Sequence, residues 1–326
     1  MPKVFISNFI PDEILDPVRA VADVEMWGGS GQLQRSDLLI SLPQCDAWLS
    51  MLTDRIDEEL LDAAPSLRII SQMSAGVDNI DVTACLRRGV VVGHTPDVLT
   101  ETVADTAFAL MGAAVRRLPE GERRVRSGEW GPWDPWDFLG GDLHRSRLGI
   151  IGMGRIGQAI SRRAVGFEMR VVYNSRSEKD IPNTRLVGLD ELLETSDIVV
   201  VAAPLSPETV GMIGTRELGM MRPDAFLVNI ARGALVDTAA LVAALEGRSI
   251  GGAALDVTDP EPLPTDHPLL SFENCLVVPH IGSASIRART AMAQLAVDNL
   301  LAALRGDPLP AALGAGDGRE NNEEAS

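Results

Sequence analysis

The chain has 326 residues, 45% of them hydrophobic and 23% charged, with a formal net charge of −17. Its length exceeds the usual reach of one hydrophobic core, so two domains of roughly 100–200 residues are expected. The acidic balance argues against a nucleic-acid-binding or anionic-membrane surface, both of which attract basic patches, and a protein this acidic must gather positive charge locally to hold an anion.

In chain order, residues 4–6, 47–49, 67–72 and 89–92 each spell a short apolar run of the buried parallel-strand kind. Polar helical stretches such as residues 57–64 and 82–88 lie between them. Strand–helix alternation implies βαβ units and one open α/β layer over residues 1 to about 98. His94-Thr95-Pro96 breaks the pattern and is read as a hinge. An uninterrupted helix is predicted over residues 100–118, followed by a loop at residues 128–136, where two prolines and two glycines lie among three tryptophans.

Residues 148–151 then form a strand, 152–157 a glycine turn and 156–165 a helix, with further strands at 170–173, 198–202, 225–229, 251–255 and 276–278. That is a doubly wound sheet of about six strands. A last helix over residues 285–305 is expected to return to the N-terminal domain. The fold class is therefore α/β, with two doubly wound parallel-sheet domains and a cleft between them. A flavodoxin-like substrate domain takes residues 1–99 plus 286–312, a Rossmann domain takes residues 100–285, and residues 313–326 are a disordered tail.

Cys45, Cys85 and Cys275 are widely spaced and form no CxxC pair, so reduced thiols are expected, with neither disulfides nor a metal site. The first residues read as a core strand rather than a signal peptide, and no apolar run reaches ~18 residues. A cytoplasmic protein is expected.

The turn Gly152-Met153-Gly154-Arg155-Ile156-Gly157 follows an apolar strand and opens a helix. In that context the glycines allow a dinucleotide pyrophosphate to approach the helix N-terminus. NAD sites usually carry Asp or Glu about 20 residues further on. Here the strand ends in Asn174-Ser175-Arg176, which offers donors to a 2′-phosphate and no carboxylate to repel one. NADP(H) is therefore the preferred cofactor, with NAD(H) possible.

Downstream stand Arg232, Glu261 and His280, in that order. An arginine can bond the carboxylate and carbonyl oxygens of a keto acid, and an imidazole can deliver the proton as the alkoxide forms. A histidine of ordinary pKa ~6.5 is about a quarter protonated at pH 7, and a carboxylate beside it favours the charged form. Singly, Glu261 reads equally as a turn residue, His280 as a satisfied core histidine and Arg232 as a helix-terminal charge; the ordered set points to hydride-transfer chemistry. His267 reads as a structural turn residue and His144 as exposed; His94, at the end of the hinge strand, could approach the cleft but is read as lying outside the site.

The segments Asn-Ile-Ala-Arg-Gly-Ala-Leu-Val-Asp, Ala-Leu-Asp-Val-Thr-Asp-Pro-Glu-Pro-Leu-Pro and Val-Val-Pro-His-Ile-Gly-Ser-Ala resemble the D-isomer-specific 2-hydroxyacid dehydrogenases over nearly the whole chain. Glu-Pro-Leu-Pro-Thr-Asp-His-Pro-Leu-Leu is most similar to the glyoxylate/hydroxypyruvate reductase branch. The resemblance implies NADPH-dependent reduction of glyoxylate to glycolate and of hydroxypyruvate to D-glycerate. It puts the catalytic roles on Arg232, Glu261 and His280, and substrate-carboxylate binding on the loop of Ser74, Ala75 and Gly76. Nucleotide contacts carry over to Thr106, Arg155, Ile156, Pro204, Thr209, Asp256 and Gly282, and domain closure about hinges near residues 100 and 285 is implied.

A homodimer built on the 100–118 helix and the aromatic loop is also expected. Trp136 would reach a partner subunit's active site, with Trp133 or plain dimer packing as alternatives. Two further readings stay open: a dehydrogenase for another keto acid (D-lactate, phosphoglycerate or bulkier), and a non-catalytic dinucleotide-sensing scaffold.

Overall fold

The computed structural model describes residues 1–29 and 33–313. The chain divides into two compact units, Met1–Leu99 with the segment from Ser285 onward, and Thr100–Ala284.

The first unit runs β1 (Lys3–Ile6), α1 (Asp12–Arg19), β2 (Asp23–Met26), α2 (Arg35–Ser41), β3 (Ala47–Ser50), α3 (Glu58–Asp62), β4 (Ile69–Gln72), α4 (Val82–Arg87) and β5 (Val91–Gly93). Its strands form one parallel sheet in the order β2-β1-β3-β4-β5. The two-residue period of a strand sends Val4, Ile6, Leu49 and Ile69 to one face and Phe5, Trp48 and Ile70 to the other. The first face packs against Ala293, Ala296, Val297 and Leu300 of the long C-terminal helix Ile286–Arg305; the second packs against Leu60, Leu61, Ala84 and Cys85. Asp57, Asp81 and Ser285 each accept a backbone N–H three residues on, which starts three of these helices at a cost of about 1 kcal/mol if removed.

The second unit contains α5 (Thr100–Val115), α6 (Leu118–Arg126), β6 (Arg147–Ile151), α7 (Arg155–Ala164), β7 (Arg170–Asn174), β8 (Thr184–Leu186), α8 (Leu189–Thr195), β9 (Ile198–Val201), α9 (Thr215–Met220), β10 (Phe226–Asn229), α10 (Thr238–Glu246), β11 (Gly252–Leu255) and β12 (Cys275–Val277). The C-terminal helix, α11, follows and belongs to the first unit. All seven strands are parallel, in the order β12-β11-β10-β9-β6-β7-β8. The order reverses between β6 and β9, which is the switch point where doubly wound sheets take ligands at their strand C-termini.

Four expectations are corrected. The helix expected over residues 100–118 ends at Val115; Arg117 turns to φ 54 and a new helix starts at Leu118. Pro119 forces the break, because its ring would collide with the Val115 carbonyl, which instead accepts the Gly141 N–H at 3.0 Å. The larger sheet has seven strands rather than about six, the extra one being the short edge strand β8. The strand expected over residues 89–92 starts at Val91, since Gly89 closes the turn after α4 at φ 69. Leu313, assigned to the tail, donates its N–H to the Val92 carbonyl and packs on the core; the rest of that tail, residues 314–326, lies outside the described residues.

Cys45, Cys85 and Cys275 are free and buried, and burial pushes their thiols up to about 11, 11 and 12. Among the described residues no helix is long and apolar enough to cross a membrane.

Candidate active site

The expected site residues of the second unit follow the order of its sheet. His280 lies beyond β12, Glu261 beyond β11, Arg232 beyond β10, residues 204–209 beyond β9, the glycine turn beyond β6 and Asn174–Arg176 at the end of β7. Parallel neighbours sit ~4.8 Å apart, so these six stations span about 24 Å of one sheet edge.

At the glycine turn, Gly152 adopts φ 96, and a Cβ there would lie 2.5 Å from the Ala203 nitrogen. A Cβ on Gly157 would lie 2.2 Å from the Gly152 carbonyl oxygen, so α7 closes onto the turn. Gly154 instead faces open space, with nothing within 4 Å of such an atom. The first turn of α7 carries no acidic residue and no side-chain cap, and Arg155 and Ile156 are its first two residues. An open approach to uncapped N–H groups fits a dinucleotide pyrophosphate.

Asn174 turns its amide to the Val187 carbonyl at 3.1 Å, and its own carbonyl receives the Gly152 N–H at 2.8 Å. The Ser175 hydroxyl donates to Ser177 at 2.6 Å, and Arg176 is exposed. Glu208 is held below the ordinary carboxylate range, chiefly by the Ser206 hydroxyl and in part by the charge of Arg176. Sequence reasoning did not single out this carboxylate. Thr209 clasps the same loop, donating to the Pro204 carbonyl at 2.9 Å and accepting the Ser206 N–H at 2.8 Å.

The trio converges because β10, β11 and β12 are consecutive neighbours. The His280 Nδ1 lies 2.6 Å from Glu261 Oε1. Burial opposes ionisation of Glu261, but the hydrogen bond and charge of His280, the Thr258 N–H and the charge of Arg232 together hold it below its ordinary value. An ionised carboxylate only accepts, so Nδ1 carries the hydrogen and Nε2 is the nitrogen able to give or take a proton. Gly233 presses the Arg232 turn onto the Glu261 loop: a Cβ there would lie 2.0 Å from Thr258.

Two buried polar residues hold this corner. Asn229 receives the Ala231 N–H at 3.1 Å and donates to the Arg232 carbonyl at 2.8 Å. Asp256, 2% exposed, accepts the N–H groups of Ile281 at 2.7 Å and Gly282 at 2.9 Å, while its own carbonyl takes the His280 N–H at 2.8 Å. Burial raises the Asp256 carboxyl above its ordinary value, although these N–H groups oppose the shift. The bonds keep His280 at φ 53, a conformation that costs a non-glycine residue about 1–3 kcal/mol. Thr106 of α5 ties in from behind, its hydroxyl 3.1 Å from the Gly282 carbonyl. Asp256 stood among the expected nucleotide contacts; Asn229 did not, and its signal in the sequence is a lone polar residue ending the apolar strand β10.

In the first unit, the loop of Ser74, Ala75 and Gly76 follows β4. Gln72, fully buried, donates to the Gly76 carbonyl at 2.8 Å and pairs with Asn79 at 2.7 and 2.9 Å. Trp136 is 80% exposed, so within its own chain its ring is not packed into any of these clusters. His267 caps the turn at Pro268–Leu270, accepting the Leu269 N–H, and His144 is exposed.

A doubly wound sheet with an open glycine turn, and a carboxylate-backed imidazole beside an arginine on the same edge, define a nicotinamide-dinucleotide-dependent oxidoreductase. The family profile of the D-isomer specific 2-hydroxyacid dehydrogenase NAD binding domain matches residues 108–282. The chain belongs to that family. It is 47% identical over 317 residues to a glyoxylate reductase of Thermococcus gammatolerans, covering 95% of each chain. Among solved structures it is similar to the TT0316 protein of Thermus thermophilus, with a TM-score of 0.91 and 44% identity, covering 96% of this chain and 100% of that one. It is also similar to an NADPH-dependent glyoxylate/hydroxypyruvate reductase of Sinorhizobium meliloti, with a TM-score of 0.82 and 32% identity over 96% and 98% of the two chains.

Proposed function

We propose that the protein reduces small 2-keto acids, glyoxylate to glycolate and hydroxypyruvate to D-glycerate, with NADPH as the preferred coenzyme. The observation that carries this reading is the 2.6 Å contact between His280 and Glu261, with Arg232 close enough to lower the same carboxyl. The relatives named glyoxylate reductase support the substrate class.

When bound, the reduced nicotinamide supplies a hydride; residues 152–157 would hold its pyrophosphate, and Ser175 and Arg176 a 2′-phosphate. Arg232 receives the carboxylate and carbonyl oxygens of the keto acid and draws electron density from the carbonyl carbon. His280 donates the proton from Nε2 as the alkoxide forms, and Glu261 fixes the ring and stabilises its charge. Ser74, Ala75 and Gly76 are assigned the substrate carboxylate, which makes the first unit the substrate domain. The reading includes a cytoplasmic homodimer built through the aromatic segment, supported by buried thiols and by Trp130, Trp133 and Trp136 being 77%, 86% and 80% exposed.

The test follows nicotinamide absorbance with glyoxylate, hydroxypyruvate, pyruvate and a bulky aryl keto acid, each with NADPH and with NADH. Fast NADPH oxidation by either of the first two is expected. Turnover of the bulky acid alone would overturn the substrate, and tight coenzyme binding without any turnover would overturn catalysis.

A further inference from the structure

His94, read from the sequence as lying outside the site, makes a contact with the loop after β4. Its Nδ1 lies 3.0 Å from the Ala75 carbonyl oxygen, nineteen residues away in the loop after β4. A carbonyl oxygen only accepts, so Nδ1 bears the hydrogen and the imidazole is the donor. The ring is held in turn by a fixed backbone: the His94 N–H donates to Ala311 at 3.1 Å, and its carbonyl accepts from the buried Asn299 amide at 3.1 Å. The Asn299 oxygen accepts the Ala311 N–H at 2.9 Å, and the Thr95 N–H donates to Ser74 at 2.8 Å. The half-buried imidazole thus sits on a backbone tied on both sides.

What it positions follows from the peptide plane. In a trans peptide the C=O of one residue and the N–H of the next point in opposite directions. Holding the Ala75 carbonyl on the His94 side therefore turns the Gly76 N–H away from it. The Gly76 carbonyl is held in the same manner by Gln72 at 2.8 Å and by the Ser74 hydroxyl, which turns the Val77 N–H away from those groups. Two successive carbonyls are thus tied back by side chains, and each tie turns the following N–H away from it, which is how a backbone N–H is offered to an anion.

We propose that His94 is a positioning residue for the substrate carboxylate: its Nδ1–H, by fixing the Ala75 carbonyl, orients the Gly76 N–H that binds the anion. This rests on assigning the 74–76 loop to the carboxylate.

The experiment compares His94→Ala and His94→Gln, whose amide nitrogen stands one carbon too far out, with His94→Asn, whose amide nitrogen stands where Nδ1 does. For Ala and Gln, KM for the keto acid should rise about three- to tenfold, the effect of one intramolecular hydrogen bond, with kcat within about twofold of the parent. Coenzyme affinity by fluorescence titration and the thermal midpoint should not move, and Asn should restore KM. An unchanged KM in both loss variants overturns the proposal, as does a joint fall of kcat and thermal midpoint that Asn does not repair. Gly76→Pro, which deletes the N–H itself, separates the two ideas. A raised KM there with His94→Ala unchanged defeats only the role of His94; an unchanged KM in Gly76→Pro, with coenzyme binding intact, defeats the loop assignment as well.

Discussion

At the β10–β12 end of the larger sheet, buried polar groups hold the backbone that carries two of the three side chains assigned to the chemistry: Asn229 holds the Arg232 turn and Asp256 the His280 loop. At the β7 end, Ser175 and Arg176 are half-buried or exposed and neighbour a loop that carries its own carboxylate, Glu208. Both ends belong to one sheet edge and answer to different demands. Proton transfer needs atoms placed to a few tenths of an ångström, which only a buried, fully bonded scaffold provides. Choosing between two coenzymes that differ by one phosphate needs only a favourable local charge. Substitutions should therefore act through rate at the first end and through preference at the second.

The largest effect is expected at the rigid end. Glu261→Gln keeps the shape but removes the charge facing Nδ1, and kcat should fall about ten- to a hundredfold, the worth of a hydrogen bond to a charged group. The same variant has a pH signature. Glu261 titrates below its ordinary value in the folded chain, so the stability it contributes is present above the ordinary carboxylate pKa of about 4.3 and is lost as pH falls through the lowered one. Thermal unfolding between about pH 3 and 6 should be less acid-sensitive in Glu261→Gln than in the parent. Equal acid sensitivity would mean that the contact contributes nothing to the fold.

At the other end, Asn174→Asp puts a carboxylate where a 2′-phosphate would lie, and the ratio of kcat/KM for NADPH over NADH should fall about tenfold. An unmoved ratio would remove the strand end from coenzyme choice. The smallest effect is expected for Glu208→Gln, which takes a negative charge from the neighbourhood of Arg176 and should raise that ratio about two- to threefold. A shift toward NADH would contradict the charge-based reading of this end.

The fully buried strands could be read in the sequence because a parallel strand covered on both faces is a continuous apolar run, as in Ile198–Val201. The trio could be read because its members follow three successive apolar strands in chain order, within segments that resemble the dehydrogenase family. The edge strands β2, Asp-Val-Glu-Met, and β8, Thr-Arg-Leu, carry no such run, since an edge is exposed and tolerates charge. The break at Arg117 depended on Pro119, whose effect falls four residues upstream. The bonds from His94 to Ala75 and from Gln72 to Gly76 were invisible for a different reason: they join side chains to backbone atoms, and a backbone carbonyl leaves no letter in the sequence.

The most direct test of the central claim, that His280 backed by Glu261 gives the proton, is His280→Ala assayed by nicotinamide absorbance alongside coenzyme binding by fluorescence. The expected result is a loss of kcat of about a hundredfold or more with coenzyme affinity unchanged. Turnover within a few-fold of the parent, at the same coenzyme affinity, would contradict the claim.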